Sequence, residues 1–167
     1  ALQLARQHPG TRFVVAQAPS IASELLAALS ADAGVAVHVI RDQASEVMAA
    51  SDVLLVASGT ATLQAAVVGT PMVLAYRTSW LTYWLARWLI RIQWIGLVNI
   101  VAGRSIVPEL IQQDATPERM SAEVSRLLVD GQAAHRMRTE LRAVRDALGS
   151  SGASRRAAAV VLAECRA

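Results

Sequence analysis

The stretch Val53-Leu54-Leu55-Val56-Ala57, followed by Ser58-Gly59-Thr60-Ala61-Thr62-Leu63-Gln64, constrains this chain more than any other. Its first five residues, rich in Val and Leu, are too short for a helix and read as a buried strand. Ser58-Gly59-Thr60 is a turn of small residues. The pattern predicts a helix from Ala61 to Val68, closed by Gly69, with Pro71 two residues beyond. Met72-Val73-Leu74-Ala75-Tyr76 is the next apolar strand. Strands joined through a helix are parallel, because an antiparallel pair needs only a tight turn. A small-residue turn at a helix N-terminus presents unpaired N–H groups and the positive end of the helix dipole, which suits a phosphate. The same residues would also serve an ordinary strand-to-helix turn capped by Ser or Thr. A single Gly does not separate the two readings.

The flanking sequence repeats the alternation. Leu2 to His8 reads as a helix stopped by Pro9-Gly10, and Arg12 to Ala16 as a strand. Pro19-Ser20 opens a helix over 21–31, with Glu24 in its first turn. Val35 to Ile40 is a strand, and Asp42 is placed to cap a helix over 43–50. Short strands alternating with helices predict an α/β fold: a Rossmann-like open parallel sheet with right-handed crossovers and helices on both faces. Ligands of such sheets bind beyond the carboxyl ends of the strands. Ser58–Thr60 and Arg77-Thr78-Ser79 both lie at such ends. Further on, Thr116 and Pro117 begin a helix ending near Leu128. An Arg-rich helix over 132–148, a Gly149-Ser150-Ser151-Gly152 linker and a final Ala-rich helix complete the chain. The expected division is a sheet domain over residues 1–130 and a helical tail over 131–167.

Composition removes several classes. Hydrophobic residues make up 54% and charged residues 17%, so the chain is neither disordered nor fibrous. The net charge is +3, and the arginines of 136–145 are interleaved with acids, which argues against nucleic acid as a partner. No uncharged apolar run reaches the length of a membrane span. The start, Ala1-Leu2-Gln3-Leu4-Ala5-Arg6, lacks the layout of a secretory leader and reads as the middle of a helix, so a fragment of a longer protein is expected. Cys165 is the only cysteine, which excludes an internal disulfide and fits a reducing compartment. His8, His38 and His135 stand far apart with no Cys or carboxylate at ligand spacing, so no metal site and no cofactor is expected.

Two segments carry further chemistry. Trp80, Trp84, Trp88 and Trp94 all fall within 80–95, the first three at i, i+4 and i+8, with Arg87 and Arg91 on the same side of a predicted helix. Trp and Arg together suit the wet edge of an apolar layer, so contact with membrane or acyl chains is expected; packing into a core is the competing reading. The run from Gly96 to Gln112 holds a single Asn99 among apolar residues. A buried Asn needs partners, either as a bridge to backbone or as a ligand contact. Glu109, after Pro108, reads as the start of a short helix with Gln112 one turn on.

Several of these motifs occur together. Ala50-Ser51-Asp52-Val53, Ala57-Ser58-Gly59-Thr60-Ala61-Thr62-Leu63-Gln64, Pro71-Met72-Val73-Leu74-Ala75-Tyr76-Arg77, Asn99-Ile100-Val101-Ala102-Gly103-Arg104 and Val107-Pro108-Glu109-Leu110-Ile111-Gln112 resemble, in order, the C-terminal half of bacterial lipid-A-disaccharide synthases. Phe13 to Ser20 and the helical tail also fit. The resemblance implies a GT-B glycosyltransferase. Such an enzyme transfers 2,3-diacylglucosamine from its UDP conjugate to 2,3-diacylglucosamine 1-phosphate, without a required metal, at the cytoplasmic face of the inner membrane. It implies that Ser58, Gly59, Thr60 and Ala61 hold the diphosphate, that Gln64 faces the ribose, and that Arg77, Asn99, Glu109 and Gln112 are further donor contacts. The expected partners are the UDP-sugar, the lipid acceptor, a missing N-terminal domain and, as assembly, a homodimer.

Two departures qualify the resemblance. The N-terminal half of the family and the first strand of its C-terminal domain are missing, so the general base lies outside this chain and turnover by the chain alone is not expected. Gln64 stands where the family often has Glu, which removes a charge facing the ribose. The competing readings are another UDP-sugar GT-B enzyme, such as a different N-acetylglucosaminyltransferase or an epimerase, and a non-catalytic membrane-associated remnant.

Overall fold

The computed structural model describes residues 1–32, 34–57, 59–80, 93–149 and 152–165. Its elements in chain order are α1 (Leu2–Gln7), β1 (Phe13–Gln17), α2 (Ser23–Ala31), β2 (Val37–Arg41), α3 (Ala44–Ala50), β3 (Leu54–Val56), α4 (Thr60–Val68) and β4 (Met72–Tyr76). There follow α5 (Leu97–Ala102), β5 (Glu109–Ile111), a 3-10 turn (Gln112–Asp114), α6 (Pro117–Val129), α7 (Gly131–Ala147) and α8 (Ala153–Glu164).

The core is built around β4. Met72, Val73 and Leu74 are all fully buried. Successive strand residues point to opposite faces, so both faces of β4 are covered. β4 pairs in parallel with β3 on one side, Leu54 opposite Met72, and with β5 on the other, Leu74 opposite Glu109. The expected parallel unit around the Ser58–Thr60 turn is therefore present. α4 runs between β3 and β4 and is closed by Gly69 in the left-handed region.

The sheet predicted as one is hydrogen-bonded in two parts, β1-β2 and β3-β4-β5, all parallel. Helices join the parts. α3 packs on β1, β2 and α4, while α1 packs on α6, which lies against β3 and β4. The α1–α6 contact is polar. The Gln3 amide donates to Glu118 at 3.0 Å and accepts from the Ser121 hydroxyl at 2.7 Å, and His8 meets Ser125 at 2.6 Å. Its own backbone N–H, then Gln3 and Thr116, hold the Glu118 carboxyl below the usual range.

Three local expectations are corrected. Asp42 does not cap α3: it sits at φ 58, in the left-handed region, and its N–H extends the β1-β2 ladder to the Gln17 carbonyl at 3.3 Å. An N-cap needs extended backbone, which this turn denies it. Glu109 does not open a helix. It begins β5, because the Pro108 carbonyl accepts the Leu74 N–H at 3.0 Å and draws the segment into the sheet. Gln112 is consequently not one helical turn from Glu109; it lies in the 3-10 turn at φ 53.

The helix ends follow local chemistry. Thr116 caps α6, its hydroxyl accepting from Arg119 N–H at 3.2 Å, and Pro117 takes the first helical position. Asp130 both ends α6 and caps α7, accepting from Ala133 N–H at 2.9 Å. The expected boundary at residue 130 thus falls between two helices that share one core: Val124 and Leu127 of α6 cluster with Met137, Leu141 and Val144 of α7. α8 is exposed from Ser154 to Glu164, with Val160 and Val161 at 63% and 60%.

Leu141 is fully buried. Leu141→Ala is expected to destabilise the chain by about 2–5 kcal/mol in urea unfolding. A loss below about 0.5 kcal/mol would show that α7 is not part of the core.

Candidate functional site

The turn between β3 and α4 is shaped by Gly59. Gly59 stands at the α4 N-cap position with φ 121, a conformation that side-chain-bearing residues rarely adopt. A Cβ built on Gly59 would meet no atom within 4 Å, so the space above the turn is open among the described residues. The Gly59 carbonyl accepts from Thr62 N–H at 3.1 Å and from the Thr62 hydroxyl at 2.8 Å. Gly59 has no side chain with which to cap α4, so the N–H groups of Thr60 and Ala61 at the helix start carry no side-chain cap from it. Thr60 is exposed, Ala61 is half-buried, and Gln64, one turn further, is exposed. Arg77 is exposed directly after β4. Gly59, Thr60, Ala61 and Arg77 thus lie at the carboxyl ends of adjacent parallel strands. Ser58 lies outside the described residues.

Asn99, Glu109 and Gln112 form a second, polar cluster. The Glu109 carboxylate accepts from Ile95 N–H at 2.9 Å, Gly96 N–H at 3.0 Å and the Asn99 amide at 2.8 Å. It therefore caps the N-terminus of α5 from β5, with its charge at the positive end of the helix. Asn99 is fully buried. Its Nδ2 also donates to the Val107 carbonyl at 2.9 Å, and its Oδ1 accepts from Ile106 and Val107 N–H at 2.9 and 3.0 Å. All four hydrogen-bonding positions of the amide are occupied. The backbone bridge that was one of the two readings for Asn99 is present. Gln112 holds Thr78 at both ends of its side chain, accepting from Thr78 N–H at 2.7 Å and donating to the Thr78 carbonyl at 3.0 Å. Gln112 and Glu109 thus fix the chain just before and just after residues 81–92.

Close approach explains Gly96. A Cβ there would lie 2.7 Å from Leu74 Cδ1 and 3.0 Å from Glu109 Oε1. Sequence reading missed this glycine and the helix that follows it. It also missed Gln17, buried at the end of β1, whose amide donates to the Ile21 carbonyl at 2.7 Å and to Ser23 at 3.1 Å, shaping the loop after β1. Of the tryptophan segment, Trp80 is 53% exposed and Trp94 is half-buried. Trp84, Arg87, Trp88 and Arg91 lie outside the described residues.

A cavity of about 410 Å³ lies elsewhere, lined by Arg104, Arg126 and Arg136 with Glu123 and Glu140. Its charges are matched: Arg104 pairs with Glu140, Arg126 with Glu123 at 2.8 Å, and Arg136 approaches Asp130 at 4.0 Å. The hydrogen bond to Glu140, then its charge, raises the Arg104 pKa further.

The family model for lipid-A-disaccharide synthetase matches residues 1–163. The chain belongs to that family. It is 47% identical to the lipid-A-disaccharide synthase of Anaeromyxobacter dehalogenans strain 2CP-C over 99% of its own length, and 42% identical to that of Geobacter sulfurreducens over 97%. The Myxococcus xanthus protein of the same name is 40% identical over 97%. The chain spans 44% of the Anaeromyxobacter relative and 42% of the other two. Among the described residues no helix is long and apolar enough to cross a membrane.

Asn99→Ala would leave the Ile106 and Val107 N–H groups without their acceptor, and a loss of about 2–4 kcal/mol in urea unfolding is expected. Stability within about 0.5 kcal/mol of the parent would contradict the bridging role. Gly96→Ala must displace Leu74 or Glu109, and a cost of about 1–3 kcal/mol is expected by the same measurement.

Proposed function

We propose that this chain is the nucleotide-sugar-binding part of a glycosyltransferase of lipid A biosynthesis. The observation that carries this reading is the open, Gly59-shaped turn at the carboxyl end of β3, within a chain of this family. The donor is UDP-2,3-diacylglucosamine, the acceptor is 2,3-diacylglucosamine 1-phosphate, and the products are the lipid A disaccharide and UDP. The N–H groups of Gly59, Thr60 and Ala61, with the hydroxyls of Ser58 and Thr60, hold the diphosphate. Departure of UDP develops negative charge on the β-phosphate oxygen. Oriented N–H groups, the α4 dipole and Arg77 stabilise that charge as it forms. Gln64 faces the ribose and offers one carbonyl acceptor.

Asn99, Glu109 and Gln112 serve the donor site chiefly through the backbone they hold. Each side chain is committed to the segments that border the site. The Glu109 carboxylate retains lone pairs beyond its three hydrogen bonds, which a sugar or ribose hydroxyl can use. The base that activates the acceptor hydroxyl comes from another part of a longer protein, so the chain alone binds donor without turnover. Trp80, Trp84, Arg87, Trp88 and Arg91 meet acyl chains or the headgroup layer at the cytoplasmic face of the inner membrane. Their spacing in the sequence supports that role.

Titration of UDP by calorimetry tests the diphosphate turn. Gly59→Trp, with folding checked by circular dichroism, is expected to weaken UDP at least tenfold, or about 1.4 kcal/mol. Unchanged affinity would remove the turn from the site. Trp84→Ser combined with Trp88→Ser is expected to abolish sedimentation with anionic liposomes; unaltered binding would make those residues structural.

A further inference from the structure

We propose that Thr62, in the first turn of α4, is a positioning residue for the diphosphate, a role that rests on the nucleotide reading. It locks the Gly59–Thr60 peptide with its N–H turned away from the helix. Thr62 reaches one acceptor twice. Its N–H donates to the Gly59 carbonyl at 3.1 Å, and its hydroxyl donates to the same oxygen at 2.8 Å. A trans peptide unit is planar, so its C=O and N–H point in opposite directions. The carbonyl of the Gly59–Thr60 peptide points along α4 toward Thr62. The N–H of the same peptide, which belongs to Thr60, therefore points back beyond the helix start, where helix N-termini receive phosphate. Whatever fixes this carbonyl fixes that donor.

A lock matters here because of the residue before the peptide. Gly59 stands at φ 121 and ψ −158, a conformation that is essentially glycine's alone. Glycine has the widest choice of backbone states, so the peptide on its carboxyl side turns over readily. A turned-over peptide would face a phosphate with a carbonyl oxygen in place of an N–H.

The start of α4 is built differently from those of α6 and α7. Thr116 and Asp130 restrain their helix starts with side chains, which accept from Arg119 and Ala133 N–H. Their carbonyls accept from Met120 and Ala134 N–H, four residues on, at 2.9 and 3.0 Å. Gly59 has no side chain to use, and its carbonyl accepts from three residues on. Restraint at α4 thus comes from inside the helix. A helical Thr can turn its hydroxyl to a carbonyl three or four residues back, and Thr62 turns it to Gly59. Burial strengthens the lock. Thr62 is fully buried, so turning the peptide over would take this acceptor from a hydroxyl that water does not reach.

UDP titration by calorimetry, with the carbon resonance of the Gly59 carbonyl as reporter of the hydrogen bonds it accepts, tests the role. Thr62→Val keeps the shape and loses the hydroxyl. It is expected to shift the Gly59 carbonyl resonance and to weaken UDP by about fivefold. Thr62→Ser keeps the hydroxyl, and it should restore the resonance and bind UDP within about twofold of the parent. Thr62→Ala carries the expectation of Thr62→Val if circular dichroism shows the Val chain unfolded. UDP affinity equal to the parent's without the hydroxyl, whatever the stability in urea, would make Thr62 structural and overturn the proposal. Equal weakening by Thr62→Ser would overturn it too. Gly59→Trp separates the two levels. If it weakens UDP while Thr62→Val does not, the turn holds the diphosphate without this lock. If it leaves UDP unchanged, the nucleotide reading itself fails, and the positioning role fails with it.

Discussion

Burial of β4 on both faces is the constraint on which the rest of the structure depends. A strand with Met72, Val73 and Leu74 fully buried has no water to satisfy its peptide groups. It must find a hydrogen-bonding neighbour on each side and a helix layer on each face. β3 and β5 supply the neighbours with only three residues each; α6 lies against β4 and β3, and α4 against β3. α7 packs on α4 and brings Met137, Leu141 and Val144 into the same cluster. α7 thus backs α4 within one shared core.

The polar interior follows from the same geometry. β5 must lie against β4, and its flanking residues must carry the chain out to the tryptophan segment and back. Glu109 and Gln112 do this with side chains that bind backbone on both sides of that excursion. Asn99 closes the arrangement by tying α5 to the stretch before β5. No buried side-chain polar atom lacks a partner among the described residues. Such a fully satisfied network holds loops at strand ends in one position. The turn at Gly59 differs: a Cβ there would meet no described atom within 4 Å, and Gly59 has no side chain to cap α4.

Much of the fold was legible in the sequence because apolar strands and capped helices alternate on a short period. The bounds of β4, the closure at Gly69 and the Thr116-Pro117 start of α6 depend on local chemistry and were read directly. β5 was not, because Glu109-Leu110-Ile111 is too short to show strand alternation and the preceding proline mimics a helix start. Asp42 was misplaced because a left-handed residue within a ladder leaves no compositional trace. The division of the sheet into two parts was invisible for a related reason: strand order is a tertiary property. For the site, residue type was legible but commitment was not. Asn99 and Gln112 look alike as potential ligand contacts in sequence, and only the structure shows the Gln112 amide on the Thr78 backbone and the Asn99 amide shared between backbone and Glu109. Ser58 and residues 81–92 contribute to the functional reading through sequence alone.

In the proposed function the N–H groups at the β3–α4 turn bind the diphosphate of a nucleotide. Amide chemical shifts followed by NMR during addition of UDP, with uridine as the comparison, address it residue by residue. UDP is expected to move the Gly59, Thr60 and Ala61 amide resonances to saturation while uridine leaves them in place. Equal shifts with uridine would contradict it, as would UDP-induced shifts confined to the Arg104–Arg136 cavity.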